Sequence, residues 1–320
     1  MIIYRGNIKR FRIPRGLILA IGNFDGVHLG HQKVIDTCIN IAKRNRLVPA
    51  VLTFDPHPSA IVNKSHNKNL IYSDAQKLKM LQTFLISHLF ILNFDTNLMK
   101  LSHSKFIKNI LVEKFNVKGV ITGENFHFGH QRKGDMNTLS NASKKYGFSY
   151  YIVEKSIQDG IEVSSSKIRE LLSMGMIETA NKMLGREYAM NGSIVYGKRL
   201  AENLGFKTAN ISLDEQSNHL MKGVYLVRFI LLDEGIKRYG IANIGVRPTV
   251  SHDNQLALEV HLFDFYRDIY EQNVKVEFLR FIRPERNFEN IEALKAQIMK
   301  DIKDAEYVSL NAKTMKVVMH

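Results

Sequence analysis

Residues 16–45 read GLILAIGNFDGVHLGHQKVIDTCINIAKRN, and this stretch decides the fold. GLILAIG (16–22) is a short apolar run bounded by glycines, the pattern of a buried strand. From Leu29 the apolar residues recur at helical intervals and include Cys38, which reads as core. A strand therefore feeds a helix through a glycine-bearing loop. Gly22, Gly26 and Gly30 let the backbone approach a ligand closely. The start of the helix supplies unpaired N–H groups and the positive end of its dipole, both suited to phosphate. His28 and His31, three residues apart, share one side of the opening turn, where two imidazoles can donate to phosphate oxygens. Taken alone, the pair fits a capped turn with two exposed histidines equally well.

The alternation continues through the first half. LVPAVLTF (47–54), HLFILNF (88–94), VKGVITG (117–123) and FSYYIVE (148–154) read as buried strands. Between them, helical patterns occupy 73–87, 102–115 and 138–147, with Ser73 and Ser102 or Ser104 as candidate caps. This order predicts an α/β domain on a parallel, Rossmann-like sheet, with ligands bound beyond the carboxyl ends of the strands. GNFDGVHLGH, TFDPHP (53–58) and GENFHFGHQRKGD (123–135) each follow a strand and converge on that edge. From 189 to 282 the strand candidates lie close together without comparable helices, which predicts a small antiparallel β-barrel or sandwich. A final helix at about 288–306 carries Ile291, Leu294, Ile298 and Ile302 on one face. The division into domains is set at 1–186 and 187–320.

The chain has 320 residues, a formal net charge of +14, one cysteine and no tryptophan. A single cysteine fits a reducing cytoplasm, and no apolar run reaches the length of a signal peptide or a membrane helix. The lysines are scattered, and no aromatic–basic stripe recurs, so neither a nucleic-acid nor a membrane partner is expected. The oligomeric state is not encoded in any recognisable pattern.

VSSSKIRELL (163–172) opens another helix: Ser164 to Ser166 at its start, then Lys167 and Arg169. Serines at a helix start beside cations make a second phosphate cradle, or a plain N-cap if isolated. With GNFDGVHLGH it resembles the paired phosphate elements of the nucleotidylyltransferase superfamily. Phe54, Pro56, His57, Pro58, Asn125, Phe126 and Phe128 add aromatic faces and polar edges, a mixture suited to a flat heteroaromatic ligand. Together these loops resemble the adenylylating module of the bacterial bifunctional riboflavin kinase/FAD synthetase family. That resemblance implies adenylyl transfer from Mg2+–ATP to FMN. It assigns catalysis to His28, His31, Ser164, Ser165 and Arg169, and ATP contacts to Gly22, Asn23, Phe24, Asp25, Gly30 and Lys167. The third loop departs from the family, which has Asp and Arg at the places of Asn125 and His127.

LGFKTANI (204–211), GVYLV (223–227), GIANIGVRPT (240–249) and LEVHLFDF (258–265) resemble riboflavin kinase, in order. The resemblance implies Thr208 and Asn210 as the residues holding Mg2+ and ATP phosphates, and Glu259 as base toward riboflavin. Asn243 and Arg247 fall on the flavin side. Ala201, Glu202 and Lys207 replace the Gly, Arg and Pro usual in the ATP loop, and Glu beside a polyphosphate is unfavourable. The expected function is FAD biosynthesis by both activities; the alternative is a FAD synthetase whose kinase-like domain is weak or inactive. An adenylyl- or cytidylyltransferase for another phosphate acceptor leaves the barrel motifs unexplained. A flavin sensor leaves the intact phosphate elements unexplained.

Overall fold

The computed structural model describes residues 1–62, 70–196, 208–213, 219–246, 256–265 and 267–317. Contacts divide the chain into two compact units, Met1–Lys167 and Ile168–His320. The first is built on strands β1 (Ile2–Gly6), β2 (Leu17–Ile21), β3 (Val48–Asp55), β4 (His88–Asn93), β5 (Gly119–Gly123) and β6 (Ser149–Val153). They form one sheet in the order β1-β4-β3-β2-β5-β6, with every pairing parallel. The connecting helices are α1 (Leu29–Asn45), α2 (Pro58–Val62), α3 (Asp74–Leu81), α4 (Thr96–Met99), α5 (His103–Lys105) and α6 (Met136–Tyr146). Beyond α5 the chain continues as a π-helix over Phe106–Lys114.

Helices cover both faces of the central strands, which is why β2 to β5 are largely apolar rather than alternating. Leu17, Leu19 and Ile21 of β2 join Phe90, Leu111 and Phe115 on one face. Ile18 and Ala20 join Val34, Ile35, Cys38 and Ala42 of α1 on the other. Cys38 is fully buried there, and burial pushes its thiol up to about 11. It belongs to the core, as its pattern predicts. Ser73 closes a capping box with Gln76, and Ser102 caps α5, so the cap residues read from sequence hold their helices. Strand β1 is the element that pattern reading misses. Its Ile2 and Ile3 are exposed at the sheet edge, and its place is set by parallel pairing with β4.

A two-strand hairpin follows, β7 (Ile157–Gln158) and β8 (Ile161–Glu162), turning at Asp159 and Gly160 with φ of 49° and 78°. Helix α7 (Ser165–Ser173) comes next, and the division between the units falls inside it, after Lys167. Helix α8 (Ile177–Leu184) ends at Gly185, whose φ of 71° suits a glycine C-cap. The contact division groups α8 with the barrel, whereas the sequence reading sets it before the boundary. The reason is local: Asn181 donates to Phe278 O at 2.8 Å and accepts from Tyr188 N at 2.7 Å.

The second unit closes β9 (Tyr188–Val195), β10 (Thr208–Leu213), β11 (Gly223–Leu231), β12 (Lys237–Val246), β13 (Leu256–Leu262) and β14 (Asn273–Pro284) into a barrel. The order around it is β10-β13-β12-β11-β14-β9. Every described ladder is antiparallel. Helix α9 (Ile291–Val317) lays Ile298, Ile302 and Ala305 against Val224, Leu226 and Ile241. The apolar stripe expected on α9 is shorter than its sequence suggests. Ile291 is exposed and Leu294 only half-buried, because packing begins a turn later. A buried ion pair fixes that turn: Arg283 donates to Asp301 from Nε at 2.9 Å and Nη2 at 2.8 Å. Among the described residues no helix is long and apolar enough to cross a membrane.

Candidate functional site

The loop after β2 is tightly folded. Phe24 and Val27 take positive φ of 53° and 40°, and Gly26 takes 79°. A Cβ on Gly26 would come within 2.7 Å of Ile71, and one on Gly30 within 3.2 Å of the His28 ring. Gly30 thus leaves room for the imidazole before it, a reason for glycine that the motif alone does not reveal. His28 is buried and N-caps α1: its Nδ1 accepts from His31 N at 3.3 Å. That bond places the imidazole proton on Nε2. The rings of His28 and His31 stack with centroids 3.6 Å apart, and Phe24 meets His31 edge-on at 5.2 Å. The two histidines therefore act as one pre-positioned pair at the helix start.

The serine-bearing start of α7 lies against this loop. Ser164 accepts from Lys167 N at 3.2 Å, capping α7. Ser165 instead donates its hydroxyl to the carbonyl of Asp25 at 2.9 Å, across 140 positions of sequence. The Asp25 carboxylate turns inward and accepts from Ile71 N at 2.9 Å, buried to 4 % exposure. The site thus brings together Gly22 to Asp25, His28, Gly30, His31, Ser164 and Ser165. Lys167 is the last residue of the first unit, and Arg169 lies along the same helix in the second.

The other two loops border the same sheet edge. Thr53 donates to Asn23 O at 3.1 Å, tying TFDPHP to the histidine loop. Phe54 is buried and meets Phe94 edge-on at 5.8 Å, while Pro56, His57 and Pro58 are half-buried. His57 pairs with Ser59 Oγ at 2.7 Å. Burial, then Asp74, hold the Asp55 carboxyl above its ordinary range, against the opposing pull of Arg5 and Lys77. In the third loop, Phe126 stacks on Phe128 at 5.5 Å. Phe128 belongs to the core and Phe126 is half-buried against it. Of the aromatics read from sequence, Phe54 and Phe128 therefore serve first as packing. Asn125 is exposed and donates to Glu162 at 2.9 Å. Glu162 is a residue that motif reading passes over, although the Asp159–Gly160 turn marks the hairpin that carries it.

In the barrel, Asn210 of β10 stands directly across from Glu259 of β13, and Glu259 across from Asn243 of β12. Opposed residues of antiparallel strands share a face. The flanking Leu258 and Val260 are buried, so this row points away from the barrel interior; along it Asn210 is buried, Glu259 half-buried and Asn243 exposed. Thr208, two residues before Asn210, shares that face. Arg247, Ala201, Glu202 and Lys207 lie outside the described residues.

Comparison with known proteins follows the same division. A FAD synthetase family model matches residues 11–167, and a riboflavin kinase family model matches 184–309. A protein of Haemophilus influenzae named bifunctional riboflavin kinase/FMN adenylyltransferase is 37% identical over 306 residues, spanning 96% of this chain and 98% of its own length. Proteins of the same name from Buchnera aphidicola and Escherichia coli are 36% and 34% identical, each covering 94% of this chain and 97% and 96% of their own. A crystal structure described as a macrolide-efflux protein from Streptococcus pneumoniae is similar over 94% of this chain and 96% of that one. Its TM-score is 0.82 and its identity 27%. With both family models matched in order and these relatives covered over nearly their full length, the chain belongs to the bifunctional riboflavin kinase/FMN adenylyltransferase family.

Proposed function

We propose that this protein makes FAD from riboflavin in two ATP-dependent steps, phosphorylation in the barrel and adenylylation at the parallel sheet. The observation that carries the second step is the Ser165–Asp25 hydrogen bond, which joins two phosphate-binding helix starts into one cradle. An FMN phosphate oxygen attacks the α-phosphorus of ATP; the new P–O bond forms as the bond to pyrophosphate breaks. The nucleophile is already ionised near neutrality, so no general base is needed. Positioning and charge stabilisation supply the rate, with His28 Nε2–H and His31 beside the phosphates. Lys167 and Arg169 add positive charge from α7, and TFDPHP with Asn125 and Phe126 borders the flavin.

For the first step, Glu259 accepts the proton of the riboflavin hydroxyl as its oxygen attacks the γ-phosphorus; the new P–O bond forms as the bond to ADP breaks, giving FMN and ADP. Thr208 and Asn210 hold the phosphate end of Mg2+–ATP on one flank, and Asn243 with Arg247 meets the flavin on the other. The hydroxyl of Thr208 and the amide oxygen of Asn210 are hard oxygen donors suited to Mg2+. Among the described residues no three His, Cys, Asp or Glu could hold a metal by themselves. By activity the chain divides at 1–186 and 187–320, because α7 carries part of the adenylylation site although α8 packs on the barrel.

Purified protein incubated with Mg2+–ATP and either riboflavin or FMN, followed by chromatographic separation of the flavins, tests both steps. FAD from both substrates is expected. FAD from FMN alone would mean that Ala201, Glu202 and Lys207 disable the kinase loop. No FAD from either would refute the adenylyl-transfer reading. Glu259→Ala is expected to abolish FMN formation while FAD formation from supplied FMN continues.

A further inference from the structure

The hairpin β7–β8 stands between the third loop and the serine element, and its last residue connects them. Glu162 Oε1 accepts from Asn125 Nδ2 at 2.9 Å, and Glu162 Oε2 accepts from Lys155 Nζ at 3.0 Å. Both carboxylate oxygens are therefore used, one on each neighbour. Ile157 pairs with Glu162 across the hairpin, and Val163 N donates to Ser156 O at 2.9 Å. These bonds fix the backbone that leads directly into Ser164 and Ser165. On the other side, Asn125 O is held by His127 Nδ1 at 3.0 Å. Asn125 is thus gripped from two directions, at its side chain and at its backbone, although it is itself exposed.

An ionised carboxylate only accepts hydrogen bonds, so only the NH2 end of an amide can face it. With Nδ2 committed to Glu162, Asn125 Oδ1 is left as an acceptor. The flavin ring has an N–H at its pyrimidine edge, which needs such an acceptor. We infer that Glu162 is a positioning residue for adenylyl transfer: it sets the orientation of the Asn125 amide, so that Oδ1 receives a flavin N–H. The inference rests on the adenylyl-transfer reading above. It also gives a physical reason for asparagine at 125, where the family resemblance leads one to expect aspartate. Two carboxylates at this separation repel, so one must take up a proton or both must move apart. Asparagine is the partner that the Glu162 carboxylate can hold. Lys155 supports the arrangement, since the hydrogen bond and charge of Glu162 raise its pKa and keep it cationic beside the carboxylate.

The test is a double-mutant cycle on the full chain, with FMN and Mg2+–ATP as substrates and FAD as product. The unaltered chain, Glu162→Gln, Asn125→Asp and the double variant are compared from pH 5 to 9. Glu162→Gln, which can present either end of its own amide, is expected to raise the KM for FMN about three- to tenfold with kcat little changed. Asn125→Asp alone is expected to bind FMN progressively worse as pH rises and the facing carboxylates ionise. Adding Glu162→Gln should remove that pH dependence, because the glutamine NH2 then donates to the carboxylate introduced at position 125. A merely structural role would lower melting temperatures without producing this rescue. FAD formation that is the same for Glu162→Gln as for the unaltered chain, or an Asn125→Asp pH profile unmoved by the second substitution, would overturn the inference. No FAD from FMN by the unaltered chain would overturn the underlying reading, and the inference with it.

Discussion

His28 performs two separable tasks, and one pair of substitutions divides them. Its Nδ1 caps α1 through a 3.3 Å bond to His31 N, and its ring stacks on His31 at 3.6 Å. On the proposed adenylyl-transfer reading, its Nε2–H donates to a phosphate. Removing the ring by His28→Ala loses the cap, typically ~1 kcal/mol, and a ring contact of roughly 0.5–1.5 kcal/mol. A loss of about 2 kcal/mol in a unit of this size lowers the melting temperature by roughly 4–8 °C. The catalytic loss is larger, because one donor aimed at developing charge is worth about 100- to 1000-fold in rate. His28→Asn keeps an acceptor for His31 N while removing the imidazole donor. It should recover roughly half of the lost stability and almost none of the lost rate. The assay is FAD formation from saturating FMN and Mg2+–ATP, at a temperature well below every midpoint, alongside thermal unfolding of the same samples. A His28→Asn protein that made FAD within a few-fold of the original rate would refute the reasoning. The imidazole would then be a helix cap and nothing more.

Three further outcomes follow from the packing and the charges. Burial, then Asp74, raise the Asp55 pKa above its ordinary value of 3.8. Its stabilising contribution is therefore fully present below about pH 3.9 and is lost as pH rises through the folded value. Asp55→Asn should accordingly raise the melting temperature at pH 7, with the gain shrinking toward pH 3; a gain that grows on acidification would contradict this. Asp301→Ala strands Arg283 against a nearly dry surface, where the pair's side chains are 15% and 2% exposed. A cost of about 3–5 kcal/mol is expected, read by chemical denaturation of the full chain. Cys38, fully buried with its thiol pushed up to about 11, should resist a thiol reagent in the native protein and react once denaturant is added.

What can be read beforehand divides along a physical line. Strands β2 to β5 are legible because helices cover both of their faces, so each is a short, largely apolar run. β1 is not, since its Ile2 and Ile3 sit exposed at an edge and only pairing with β4 makes them a strand. β10 is visible as the motif TAN yet not as a strand, because Thr208, Asn210 and Ser212 give its outer face a polar, loop-like pattern. The same distinction runs through the site. The glycines and histidines of 22–31 announce themselves, because a tight strand-to-helix loop imposes its requirements on neighbours in sequence. The bond from Ser165 to Asp25 and the grip of Glu162 on Asn125 do not, because each joins residues that only the folded sheet edge brings together. Sequence patterns report what a segment needs from its own backbone. They are silent on which carbonyl a serine finds, and silent on which carboxylate turns an amide. For a transfer reaction that runs on positioning rather than on an acid or base, those long-range contacts carry much of the chemistry.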